Sequence, residues 1–379
     1  MAAQNDSKVF RLGEDSLKKP TGHQVTLLVL VFLSLIVIGI ANLYSASSGN
    51  HYFWAQLRNM AVTLTAFFVC GWLVPIKKVN AYAYWIVGAI CLMLLVVLAL
   101  GRIAGGAQRW ISLGPIGFQP SEFAKLGTAI VVARFFSTHK SDLPYRIRDL
   151  TPILAIVGGI FGLIFLQPDF GTAGICLLIA VSQMLFVRID LRSIAIVLIS
   201  SPLVALLGWH ALLRPYQKLR ILNLLNPNLD PQNTGYNSIQ SLIAVGSGNL
   251  FGKGFMQGTQ AHLKFLPERH TDFAFSVFAE EHGFWGGALV FALFGILTFT
   301  ALDIAKNTKD TFSGMLAVGV AFFIFWEFVI NVAMVLGVFP VVGLPLPFFS
   351  YGSSLLLTVC VALGLLVSIN RTRYGLSKN

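Results

Sequence analysis

Charge is what this sequence is short of: Asp, Glu, Lys and Arg make up 11% of its 379 residues, less than half of the roughly 25% usual in a soluble domain. With 56% hydrophobic residues and a mean hydropathy of +0.75, that shortage excludes a soluble globular chain and a disordered one alike. Cysteine is scarce as well, with four residues in all. Cys70, Cys91, Cys176 and Cys360 all lie in apolar runs with no CxxC or Cys/His spacing, so they read as small core hydrophobes rather than disulfide or zinc ligands. The glycine-rich run Gly246 to Gly254 lacks the Lys-Ser/Thr and the spacing of a Walker A loop, which argues against ATP and leaves a flexible outer loop that could bring Lys253 to an anion. Acids are rarer than bases, 16 against 27, for a net charge of +11. The spread of the bases along the chain argues against a nucleic-acid partner.

What the sequence does have is long apolar runs of the roughly 20 residues that cross a bilayer. Spans are expected near 25–46, 54–75, 80–100, 120–138, 151–167, 171–187, 192–212, 273–305, 312–337 and 346–370. The fold class is therefore an all-α polytopic membrane protein of about ten transmembrane helices, with a large outer loop, 213–272, between spans 7 and 8. The first run exceeds a signal-peptide core and reads as a retained span. A single membrane domain, 25–370, is expected between a cytoplasmic N-terminal tail, 1–24, and a cytoplasmic C-terminal tail, 371–379. With both termini inside, 17 of the 27 Lys and Arg residues fall on the cytoplasmic side, as the positive-inside rule asks. The exceptions carry information. Arg102, Arg109, Arg214, Lys218, Arg220, Lys253, Lys264 and Arg269 lie in outward connections, and an anionic partner on the outer face would explain them.

The densest charge is in Lys264 to Phe273, where Glu268, Arg269, His270 and Asp272 occupy four of five positions just before an apolar run. A proton-handling site at a membrane boundary is one reading. A helix capped by Thr271 or Asp272, with Arg269 paired to Glu268, is the other. Glu122 and Lys125, at i and i+3 after Pro120, share a helix face, either as a structural ion pair or on an inward-facing polar cavity. Asp169 sits in a tight turn that suits a helix cap. Gly283, Gly286 and Gly287 offer a place to break the long run 273–305, which would put Glu280, Glu281 and His282 near the outer mouth. The prolines of Gly343 to Ser354 forbid a regular helix, and irregular backbone at membrane depth must be buried in protein or line a wet cavity. Glu327 and Asn331 are further polar intrusions, more often interhelical hydrogen-bonders than catalysts. Together these features suit an amphiphile with an anionic head and a lipid tail.

Phe118 to Lys125, Gln167 to Thr172, Tyr216 to Arg220, Leu266 to Phe273 and Gly343 to Ser354 resemble, in order and over nearly the whole chain, the motifs of the SEDS family (shape, elongation, division and sporulation). Arg269 between Glu268 and His270, together with Gly258-Thr259-Gln260, resembles its rod-shape branch. Ser353 departs from the glycine usual after Ser-Tyr-Gly. The resemblance implies a peptidoglycan glycosyltransferase of the inner membrane that polymerises lipid II into a growing lipid-linked glycan on the outer face. It also implies a class B penicillin-binding protein as partner, within the elongation machinery. The family's essential aspartate falls on Asp272, a general base, and its fourth-span Glu and Lys fall on Glu122 and Lys125. Arg109, Lys125, Arg220 and Lys253 are candidates for the pyrophosphate, with Glu122, Arg269 and Ser350 as further substrate contacts and Asp169, Glu268 and His270 in support. A divalent cation, magnesium or manganese, could share the charge, although no ligand cluster declares one. A lipid II flippase and a noncatalytic scaffold are the competing classes.

Overall fold

The computed structural model describes residues 23–104, 107–113, 116–226, 234–263 and 265–373. Lys264 and most of the two tails lie outside the described residues.

Each expected span is a helix. The spans are α1 (His23–Ser47), α2 (His51–Phe68, running on in a π turn to Leu73), α4 (Ala83–Leu100), α5 (Pro120–Thr138) and α6 (Ile147–Leu166). They continue with α7 (Phe170–Met184), α8 (Leu191–Leu207, then a π turn to Leu212), α12 (Ala274–Lys306), α13 (Thr311–Val335) and α14 (Ser353–Arg373). Between them lie the short α3 (Ile76–Ala81) and, in the outer loop, α9 (Pro215–Leu225), α10 (Thr234–Ser247) and α11 (Thr259–His262). Seven of the spans are long and apolar enough to cross a bilayer on length and composition alone. Of the others, α7 is shorter, α2 carries Gln56, Arg58 and Asn59, and α5 carries Glu122, Lys125 and Arg134. Those polar groups depress the hydropathy of both spans, and in α5 the protein buries nearly the whole helix around them.

Local chemistry sets the boundaries. Pro120 opens α5 at a position where a missing N–H is harmless. Asp169 and Asp310 cap α7 and α13 by accepting from Thr172 N and Ser313 N. Burial sorts the helices: 83% of the apolar stretch of α14 and 72% of that of α13 is enclosed, against 6% for α8. Thus α13 and α14 are the axis, packed against α12, α5, α7 and α2. The exposed Ile196, Leu198, Ile199, Val204 and Leu207 of α8 form an apolar outer surface suited to lipid.

Three features differ from the sequence expectation. The connection 101–119 contains a small antiparallel sheet of β1 (Arg102–Ala104), β2 (Ala107–Leu113) and β3 (Ile116–Phe118). The last span starts at Ser353 rather than near 346, because Gly343 to Gly352 remains irregular. The glycine-rich run does not hang free: it folds onto a break in α12. Gly283 has φ of 64°, open to glycine at little cost, and there Phe284 N and Trp285 N leave the helix to donate to Asn249 O and Leu250 O. Lys253 N and Gly254 N return bonds to Glu280 O and Glu281 O.

Candidate active site

A cavity of about 350 Å³ opens among the starts of α5, α7 and α14, the turn before α12 and the segment after α13. Arg109 and Trp110 of β2, Gln119, Glu122, Arg220, Asn237, Glu268, Asp272, Tyr351 and Ser354 contribute its polar wall, and Val341, Val342 and Leu355 its apolar one. A second, mostly apolar recess shares Arg109, Arg220 and Val342 with it and continues past Pro168, Phe170, Leu213, Tyr216 and Ile221. Two cations therefore stand where a polar chamber meets an apolar one.

Asp272 is not a helix cap. The N-cap of α12 is Phe273, without a side-chain bond, and the Thr271 hydroxyl donates to Glu268 Oε2 at 2.8 Å. Arg269 does not pair with Glu268 by a salt bridge; its Nε donates to Ala46 O at 2.7 Å. Among the described residues the Asp272 carboxylate takes no hydrogen bond or salt bridge, yet it faces the cavity. Burial pushes its pKa up to about 6, Glu268 adds to the push, and Arg220 and Arg109 pull the other way. Such a carboxylate is unoccupied by structural work and is ionised at neutral pH. It can accept a proton.

The backbone beneath it is tightly held. Three successive carbonyls each receive a donor from elsewhere in the chain: Tyr351 N gives to His270 O at 2.8 Å, the Ser350 hydroxyl to Thr271 O, and Asn331 Nδ2 to Asp272 O at 2.9 Å. The His270 ring stacks on Tyr52 with centroids 4.1 Å apart, and burial lowers its pKa, so it stays neutral at pH 7. Gly343, at φ of 74°, passes so close that a Cβ there would lie 3.4 Å from Asp272 Oδ2.

The other expected residues divide. Arg109 and Arg220 line the cavity with Asp272, Glu268 and Glu122. Arg109 is steadied by Asp169 at 3.6 Å and donates to Pro168 O, so Asp169 is both helix cap and second partner. Lys125 lies behind the cavity wall, wholly buried, with Glu122 at 2.7 Å and Glu327 of α13 as a second carboxylate partner. Ser350, Arg269 and His270 act on the backbone or stack around the site and do not line it. Lys253 is also absent from the lining. The anion it meets is internal: its ammonium lies 2.6 Å from Glu280, which also accepts from Thr259 N and Gln260 N. Glu327, Asn331, Trp110 and Tyr351 join the site or its support although the sequence does not mark them as site residues. Glu327 and Asn331 did leave a signal, being four apart on one face of an otherwise apolar helix. Among the described residues no group of three or more His, Cys, Asp or Glu is placed to hold a metal ion, so the divalent-cation expectation finds no ligand set there.

The sequence matches the cell cycle protein family of FtsW, RodA and SpoVE over residues 22–375. It is 37% identical over 366 residues to the peptidoglycan glycosyltransferase MrdB of Escherichia coli K12, covering 94% of this chain and 96% of the relative. To the peptidoglycan glycosyltransferase RodA of Treponema pallidum it is 31% identical, over 91% and 96% of the two chains. Its fold superposes with a TM-score of 0.80 on a chain of a peptidoglycan synthase complex that coordinates polymerisation and crosslinking, at 31% identity over 92% and 97% of the chains. The crystal structure of the rod-shape-determining protein RodA of Thermus thermophilus gives 0.64 at 28% identity, over 92% and 96%.

Proposed function

The chain belongs to the FtsW, RodA and SpoVE family, the SEDS proteins, and from that premise we propose that it is a peptidoglycan glycosyltransferase that polymerises lipid II, with Asp272 as general base. The observation that carries the reading is the Asp272 carboxylate itself, partly buried, free of structural bonds among the described residues and open to a cavity that it shares with two arginines.

In the reaction, a sugar hydroxyl oxygen of the acceptor attacks the anomeric carbon of the lipid-linked donor as its proton passes to Asp272. The bond from that carbon to the pyrophosphate oxygen breaks, and the electron pair leaves on the phosphate. Arg109 and Arg220 receive that charge, their planar forks suiting phosphate oxygens. The apolar Phe170, Tyr216 and Ile221 beside them would flank the first part of the lipid tail. Lys125 sets the geometry of the wall through Glu122 rather than touching substrate.

The flippase alternative would require a path through the bundle. Behind the cavity, the wholly buried Lys125 is held by carboxylates from α5 and α13, and opening there would separate buried charges at high cost. A scaffold would have no use for an unbonded carboxylate in a cavity. The resemblance of the fold to a chain in a crosslinking complex supports a class B penicillin-binding protein as partner. The basic inner connections support both termini in the cytoplasm, with the cavity facing outward from the inner membrane. Purified protein in vesicles with labelled lipid II, with and without that partner, tests the reading. Glycan chains from wild type and none from Asp272→Asn are expected; lipid scrambling without chains would favour the flippase.

A further inference from the structure

Among the three donors that hold the carbonyls of 270, 271 and 272, Asn331 has the most to lose by being there. It is wholly buried on α13, and its Nδ2 donates to Asp272 O at 2.9 Å and to Leu344 O at 2.6 Å. Both neighbours are carbonyls, so only the amide nitrogen can face them. That orientation leaves its Oδ1 buried with no partner among the described residues, an unfavourable arrangement that an apolar side chain would avoid. The two carbonyls belong to two different walls of the cavity: the turn that presents the Asp272 carboxylate, and the irregular segment in which Gly343 skirts Asp272 Oδ2. One turn earlier on the same face, Glu327 holds Lys125 and through it Glu122. One helix face therefore fixes the backbone of the base and the opposite charged wall together.

We propose that Asn331 is the positioning residue of the catalytic base: its amide ties the Asp272 backbone to the 343–351 segment and so sets the height and direction of the carboxylate in the cavity. The inference rests on Asp272 acting as the base. Asn331 touches neither cavity nor substrate, so its loss should misplace the base without weakening substrate binding. A displacement of about 1 Å can cost on the order of a hundredfold in rate.

The test uses the full-length protein with its partner in vesicles, and steady-state polymerisation of labelled lipid II across pH. Asn331→Leu keeps the size and removes the donor. Its kcat should fall by about tenfold to a hundredfold while KM stays within about threefold, and its acid limb should move away from that of wild type as the carboxylate changes surroundings. Asn331→Gln, which keeps the donor, should recover part of kcat. Wild-type kcat and pH profile in a folded Asn331→Leu protein would overturn the proposal. If that variant does not fold, Asn331→Ser decides: it keeps a hydroxyl too short to span both carbonyls, and wild-type kcat there would be equally fatal. A fall in KM affinity with kcat intact would also overturn it. Asp272→Asn in parallel separates the two readings, since full activity there removes the base itself, whereas an inactive Asp272→Asn beside an unaffected Asn331→Leu removes only the positioning role.

Discussion

At the scale of the residue, the pKa of Asp272 makes the sign of each pH effect definite. The group accepts a proton only as carboxylate, so kcat/KM should fall as pH drops through about 6. Asp272→Asn keeps the shape and removes basicity, and should cost about a hundredfold to ten-thousandfold in rate. Glu268 raises the Asp272 pKa, so Glu268→Gln should move the acid limb to lower pH; Arg220 lowers it, so Arg220→Gln should move the limb to higher pH and raise KM for the pyrophosphate substrate as well. A rate profile of the purified variants from pH 4.5 to 8 reads both shifts, and opposite movements would show that another group governs the limb. The sequence exposed Asp272 because four charges crowd five positions of a chain otherwise poor in charge. It could not show that Lys253, equally conspicuous, is already neutralised by Glu280, because that pairing depends on a loop folding back across 27 residues onto a helix break.

At the scale of the element, hydropathy located the spans well because crossing a bilayer imposes one length and one composition on every helix. It was silent on which polar intrusion faces which. Glu327 reads alone as an ordinary interhelical hydrogen-bonder; only the packing of α13 against α5 makes it the second partner of Lys125. The sheet at 102–118 escaped notice because its strands are short and irregular in pattern, and its work is local, delivering Arg109 to the cavity rim. The Glu122, Lys125 and Glu327 cluster gives an asymmetric expectation. Lys125→Met strands two buried carboxylates and should lower stability by about 3–5 kcal/mol. Adding Glu122→Gln and Glu327→Gln to it removes the unpaired charge and should restore most of that loss. Thermal unfolding in detergent with a fluorescent reporter measures the pair of variants, and equal melting points would show the cluster to be energetically idle.

For the whole molecule, the ten helices alternate so that the starts of α5, α7, α12 and α14 gather at one end, around the cavity. If that end faces outward, cysteines placed at exposed Asp142 and Leu225 in a background lacking the four native ones should differ. An impermeant reagent applied to intact cells should label Leu225→Cys and leave Asp142→Cys untouched; the reverse pattern would turn the protein over in the membrane. The outer loop lies on the cavity side of this arrangement, and it brings Arg220 there on α9.

That placement makes α8 something other than a passive span. Only 6% of its apolar stretch is enclosed by the rest of the protein, and after its closing π turn just two extended residues, Leu213 and Arg214, join it to α9. A helix with so few protein neighbours has little packing to fix its tilt, and tilting is one way in which hydrophobic mismatch is relieved. A tilt of α8 with membrane thickness would reach Arg220 through the two-residue link of Leu213 and Arg214. In vesicles of shorter or longer acyl chains, the affinity for the lipid-linked donor should change and the acid limb should move with it, because the same Arg220 holds down the pKa of Asp272.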